Sequence, residues 1–130
     1  MNRYKRITLV LLAVLLSVGL YACKNTVPLD KEPQTDYMIC EGLYLKGKND
    51  HLIIIENQGP VVMHDKTQSD GKIFDGLSDG DKISISCDMI LETYPGSTDI
   101  YHLELIENGS LDDINKDTYD QLVEMGWVEK

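Results

Sequence analysis

The segment Lys82–Leu91, KISISCDMIL, decides the fold. Ile83, Ile85 and Cys87 fall on one side of an extended chain, and Ser84, Ser86 and Asp88 on the other. Side chains that switch faces at every residue have the period of a β-strand, with one face for a core and one for water. Downstream, Ile100–Ile106 alternates again, with Tyr101, Leu103 and Leu105 expected inward and His102 and Glu104 outward. Between them Glu92–Asp99 (ETYPGSTD) reads as a loop, and Pro95-Gly96 suits a type II turn.

Upstream, the same reading yields three more strands. Tyr37–Leu45 is strand-like, with Gly42 marking a bulge or bend. Lys46–His51 is a turn cluster, Leu52–Glu56 a β-branched central strand, Asn57–Pro60 a turn and Val61–Met63 the strand that completes a hairpin. Asp65–Asp81 is less regular. Its Asp70-Gly71, Asp75-Gly76 and Asp79-Gly80 pairs are turn formers, because aspartate bonds its own backbone and glycine tolerates positive φ. Ile73, Phe74 and Leu77 lie among them, so a packed loop is expected, with Phe74 in the core.

The end of the chain changes period. Asn108-Gly109 closes the last strand, and Asn115 is a good N-cap with Asp117 near the positive end of a helix dipole. Tyr119, Leu122, Val123 and Gly126 recur at helical spacing, Gly126 fits C′, and Trp127 should fold back onto the strands. The chain is therefore read as mainly β: a small five-stranded OB-like barrel with a C-terminal α-helix, over residues 37–130.

The first residues read differently. Arg3, Lys5 and Arg6 precede an uncharged, largely apolar run, Ile7–Ala22. That run is shorter than the ~20 residues of a spanning helix, and its position is that of a signal peptide, residues 1–22. Leu20-Tyr21-Ala22-Cys23 resembles a bacterial lipobox, which implies a diacylglycerol on Cys23 and a membrane partner through that lipid. Residues 23–36 hold Pro28 and Pro33, few apolar residues and no periodicity, and read as a flexible tether. The expected address is outside the cytoplasmic membrane.

Without Arg3, Lys5 and Arg6 the chain keeps 9 Lys+Arg against 22 Asp+Glu, a net charge of −13, and no arginine. Nucleic acid needs clustered positive charge and is not a partner of such a chain. With Cys23 lipidated, Cys40 and Cys87 remain as a candidate disulfide in an oxidising compartment; two buried free thiols are the alternative.

A series of short motifs, Phe74-Asp75-Gly76-Leu77, Gly80-Asp81-Lys82-Ile83, Glu92-Thr93-Tyr94-Pro95 and Ile100-Tyr101, resembles small OB-like domains of uncharacterised lipoproteins from Gram-positive bacteria, a domain-of-unknown-function family. The resemblance covers roughly Met38–Glu107. It implies a five-stranded barrel on a lipid tether and supplies no activity. Thr93 stands where serine is usual, and Cys40 and Cys87 are outside the pattern.

No residue pattern demands catalysis. Asp113, Asn115, Asp117, Tyr119, Gln121 and Glu124 fit an EF-hand template, but Thr118 stands where the loop needs glycine. Asp70, Asp75, Asp79 and Asp81 suggest a divalent cation if they converge. His51, His64 and His102 lack metal-ligand spacing, and His64-Asp65 has no nucleophile tied to it. Tyr44, placed on an outer face, and Tyr94, on a loop tip, are the candidate ligand contacts, since OB-like barrels bind through strand faces and adjoining loops. The expectation is a non-enzymatic envelope module, needing no cofactor or metal, that binds a protein or wall polymer. A cation-binding protein and a small hydrolase are the alternatives.

Overall fold

The computed structural model describes residues 36–130. The stretch read as a signal peptide, the lipobox-like residues ending at Cys23, and the expected tether up to residue 35 lie outside the described residues. No helix among the described residues is long and apolar enough to cross a membrane.

Five strands form a closed barrel: β1 (Met38–Lys46), β2 (His51–Ile55), β3 (Gly59–Asp65), β4 (Lys82–Leu91) and β5 (Gly96–Glu107). Their order around the barrel is β1-β2-β3-β5-β4. Every neighbouring pair is antiparallel except β3 and β5, which run parallel. This arrangement is compatible with an OB-like fold.

Closure depends on β1 serving two partners. Met38–Leu43 pairs with β4, and Leu43–Lys46 with β2. The changeover falls beside Gly42, where a Cβ would stand 2.4 Å from the Ile54 carbonyl oxygen. Glycine is thus required by close backbone approach at a barrel bend.

Two apolar clusters lie on opposite sides of the β1–β3 wall. Inside are Tyr44, Ile53, Val61, Met63, Phe74, Ile83, Ile85, Cys87 and Ile100. Outside, Leu45, Leu52 and Val62 are covered by Ile114, Leu122 and Val128 of the C-terminal segment. A wall covered on both faces has no water side, which explains why Leu52–Ile55 is a continuous apolar run. β4, with one face open, keeps its alternation.

β5 departs from its expected parity. Ser86 pairs with His102 but Cys87 with Ile100, so β5 carries one extra residue at Tyr101. The bulge turns Ile100 and Leu103 toward the inner core and leaves Tyr101 half-exposed, stacked on Tyr37 with ring centroids 4.4 Å apart. Leu105, near the end of the strand, is exposed. A second irregularity places Asp88 and Met89 between the pairs Cys87–Ile100 and Ile90–Thr98.

The β3–β4 connection is a packed loop with a short 3-10 turn, Lys72–Phe74, that buries Phe74. Asp65 organises it. One carboxylate oxygen accepts from the Thr67 amide (2.7 Å) and hydroxyl (2.5 Å), the other from the Ser69 hydroxyl (2.6 Å) and Gly71 amide (2.9 Å). Desolvation alone would raise its pKa, but the bonds from Ser69, Thr67 and Gly71 outweigh it and hold the carboxyl well below the usual range. A depressed pKa contributes stability above the unfolded carboxylate value of ~3.9, and that stability drains away as pH falls below it. Urea unfolding of wild type and Asp65→Asn across pH 6 to pH 2.5 should therefore show a deficit in the variant that narrows below about pH 4. A deficit that stays constant across the series would refute an ionised, loop-holding Asp65.

The C-terminal helix α1 (Lys116–Glu124) starts at Asn115, whose side chain accepts from the Thr118 amide at 3.1 Å. It ends with the Gly126 amide on Val123 O and the Trp127 amide on Leu122 O, with Gly126 at φ 82°. This pair of bonds is the Schellman arrangement, and it turns Trp127 back toward the barrel.

Candidate functional site

Tyr44 corrects an expectation. It is 2% exposed and belongs to the inner core. The bend at Gly42 sets its side: Leu43 and Leu45 face the outer cluster, so Tyr44 between them faces in. Its hydroxyl lies 2.6 Å from His51 Nδ1, and His51 stacks on Phe74 at a 3.9 Å centroid distance. Burial, with the charge of Asp79, pushes Tyr44 up to about 12. Burial, with Lys46 nearby, lowers His51. Both shifts favour the neutral forms, a phenol hydroxyl sharing one hydrogen bond with a neutral imidazole. The trio satisfies a polar group at one end of the core and leaves Tyr44 no ligand-contacting surface.

The outer face of β1–β3 is also unavailable, because α1 and its flanks cover it. What stays open lies beside the β4–β5 loop. Tyr94 is 45% exposed, as a loop-tip position should be, and its hydroxyl donates to Gln121 Oε1 of α1 at 2.9 Å. The Tyr94–Pro95 peptide is cis, so the turn differs from the expected type II turn.

A groove of about 330 Å³ runs between this loop and the C-terminal segment. Val62 and His64 of β3 and Ser97 of β5 contribute to it, along with Thr93, Tyr94, Pro95, Asp50 and Trp127. His64 Nε2 and Ser97 Oγ are 2.9 Å apart. Parallel pairing of β3 with β5 sets Val62 opposite Ser97 and brings His64 alongside. On the other side of the loop a second recess of about 280 Å³ is lined by Asn57, Gln58, Pro60, Val61, Gly96 and Ile90–Thr93. The sequence does not mark Trp127 and His64 as site residues. Gly126 signals the return of Trp127 toward the strands, but the meeting with His64 depends on the barrel order, which has no local signature.

The acidic loop does not gather its carboxylates. Asp79 accepts from the Lys46 amide at 2.8 Å. Asp81, 2% exposed, accepts from the Ser78 amide (2.8 Å) and the Gly109 amide (2.9 Å). Asp75 ends the 3-10 turn, and Asp70 occupies a positive-φ turn position. In the EF-hand-like stretch Asp113 accepts from the Ser110 amide, Asn115 caps α1 and Asp120 pairs with Lys116. Among the described residues no group of three or more His, Cys, Asp or Glu is placed to hold a metal ion. His102 lies outward on β5, paired with Ser86 and exposed.

Cys40 and Cys87 are free thiols with sulfurs 4.0 Å apart, on neighbouring strands β1 and β4. Burial, together with nearby Cys40 and Asp88, pushes the Cys87 thiol up and disfavours the thiolate needed for exchange. A cystine needs about 2.05 Å between sulfurs; Cys40 pairs with Ile85 and Cys87 with Met38, so the two thiols are diagonal neighbours that must move closer to bond. Treatment with a disulfide oxidant should couple them within one chain, the oxidant taking up both electrons and both protons. Non-reducing mass spectrometry should show the linked peptides, and the closed loop should add roughly 4 kcal/mol of stability. Linkage only between chains would show that the two thiols do not meet.

Comparison of the chain with family models, curated proteins and solved structures finds no match in any of the three.

Proposed function

We propose that this chain is a lipid-anchored, non-enzymatic binding module on the outside of the cytoplasmic membrane, and that the groove between Tyr94 and Trp127 contacts a protein or wall polymer. The address rests on the signal-like segment and the lipobox ending at Cys23. The mode of action rests on one observation: the β4–β5 loop and the C-terminal Trp127 meet over Val62, His64 and Ser97 and leave a groove there. Amphipathic aromatics beside a few polar groups are what recognition surfaces use.

The perturbed titrating groups support binding over catalysis, because each has a structural partner. Asp65 holds its loop, Tyr44 and His51 hold each other, and Cys87 sits against Cys40.

Affinity capture with the full-length protein from membrane and wall fractions tests this reading. Tyr94→Ala removes an exposed ring whose polar bond is to Gln121 alone. A hot-spot tyrosine is worth about 2 kcal/mol, so recovery of the partner should fall by more than about tenfold. Equal recovery by wild type and variant, or no recovered partner in repeated captures, counts against the groove.

A further inference from the structure

We propose that the end of the barrel formed by Tyr37, Met38, Ile39, Met89 and Tyr101 seats on the surface of a lipid bilayer. The inference rests on the lipid-anchor reading above and adds a second, direct membrane contact made by the folded domain.

The residues come together through strand register and two irregularities. Met38 pairs with Cys87, and Ile39 with Ser86, so the start of β1 lies against the end of β4. The irregularity in β4 leaves Met89 63% exposed just beyond. The bulge in β5 turns Tyr101 outward onto Tyr37. Ile39 is 74% exposed, more than any other large apolar residue among those described. Single exposed apolar residues are ordinary, but here two methionines, an isoleucine and a stacked tyrosine pair gather where the start of β1 meets the end of β4 and the β5 bulge, and such groups mark interaction surfaces.

The position of the patch names its occupant. β1 begins at Met38, so the patch is the point at which the chain from Cys23 enters the domain. The 14 steps from Cys23 to Tyr37 reach no more than about 50 Å when fully extended. With Cys23 acylated, the tether confines the domain within that reach of the bilayer and joins it at this patch. A patch this small would bind a membrane weakly on its own. Confinement by the tether makes the contact intramolecular, so a weak affinity suffices.

The chemistry agrees. Tyrosine rings sit at the headgroup level with an apolar body and a polar tip, and methionine and isoleucine suit the layer below. The flanking charges are Asp36, Glu41, Asp99 and Asp88, which accepts from the Tyr101 hydroxyl at 3.2 Å, with Lys82 paired to Glu41 at 3.6 Å. Seating is therefore driven by apolar contact, is favoured on zwitterionic lipid and is weakened by anionic headgroups.

The test uses full-length acylated protein in vesicles of brominated zwitterionic lipid, which quenches indole emission at close range. Trp127 is the only tryptophan, so I39W/W127F reports the patch and K48W/W127F, on the β1–β2 turn, reports a site away from it. Emission of I39W/W127F should fall by about half or more relative to unbrominated vesicles, and less when anionic lipid is added. K48W/W127F and wild type should change little. If W127F destabilises the domain, I39W with Trp127 retained should show the same effect as a partial loss.

Vesicle flotation separates the two readings. Protein that floats with vesicles while the I39W indole is no more quenched than the controls overturns the seating and leaves the anchor intact. Protein that does not float overturns both. An I39W signal that responds to protein concentration instead of lipid would assign the patch to a second copy of the chain and also overturn the proposal.

Discussion

Gly80→Ala is expected to cost the domain at least about 3 kcal/mol, a large share of the 5–15 kcal/mol that holds a domain of this size. Gly80 has φ +90°, and a Cβ there would stand 1.7 Å from the Ser110 carbonyl oxygen and 2.2 Å from its carbon. The obstacle is backbone, and that backbone cannot move away freely. Gly109, next to Ser110, is held by its amide on Asp81, and Gly80 is held by its own amide on Tyr44 O at 2.8 Å. The two turns are locked together, with Asp81 buried between them. Gly76→Ala is the control. It has nearly the same φ, +80°, but nothing within 4 Å of its Cβ. It should cost only the left-handed penalty of about 1–2 kcal/mol. Urea unfolding of both variants measures the difference. Equal losses would mean that the Gly80–Ser110 contact is not a rigid junction.

Leu122→Ala should cost about 2–5 kcal/mol, and its effect should be local. Leu122 is fully buried in the outer cluster, between α1 and the outward side chains Leu45, Leu52 and Val62. The inner cluster lies across the sheet and does not include it. Truncation therefore loosens the cover while the barrel retains its own core. Hydrogen exchange should show faster opening of residues 116–124, with the amides joining β4 to β1 and β5 still protected. Equal loss of protection in α1 and in β4 would show that helix and barrel open as one unit. Loosening would also move Trp127, so the groove should lose affinity with Leu122→Ala even though Leu122 does not line it.

The five strands and the helix were legible because each carries a local period. Ile83, Ile85 and Cys87 are all fully buried, as their alternation requires. Asn115 caps α1, and Gly126 takes positive φ at its end, because capping is settled within one turn of chain. Phe74 is buried within its loop, as the lone phenylalanine among Asp-Gly turns suggested. Strict alternation points Tyr101 and Leu105 inward; a single extra residue opposite Cys87 turns Tyr101 outward, while Leu105, paired with Ile83 near the end of β5, is exposed. Gly42 marks a bulge or bend in β1 but not which face beyond it closes onto the interior, so Tyr44, expected on an outer face, lies inside.

By itself the sequence determined the class of this domain, the positions of its strands, turns and helix, and its acidity, since all of these are properties of neighbouring residues. Only the tertiary structure decided that α1 covers the β1–β3 face, that Tyr44 and His51 serve the core, that Cys40 meets Cys87, and that His64, Ser97, Tyr94 and Trp127 border one groove. Those juxtapositions depend on register and on the order in which strands close. A shift of one residue exchanges the two faces of a strand without leaving any mark on local composition.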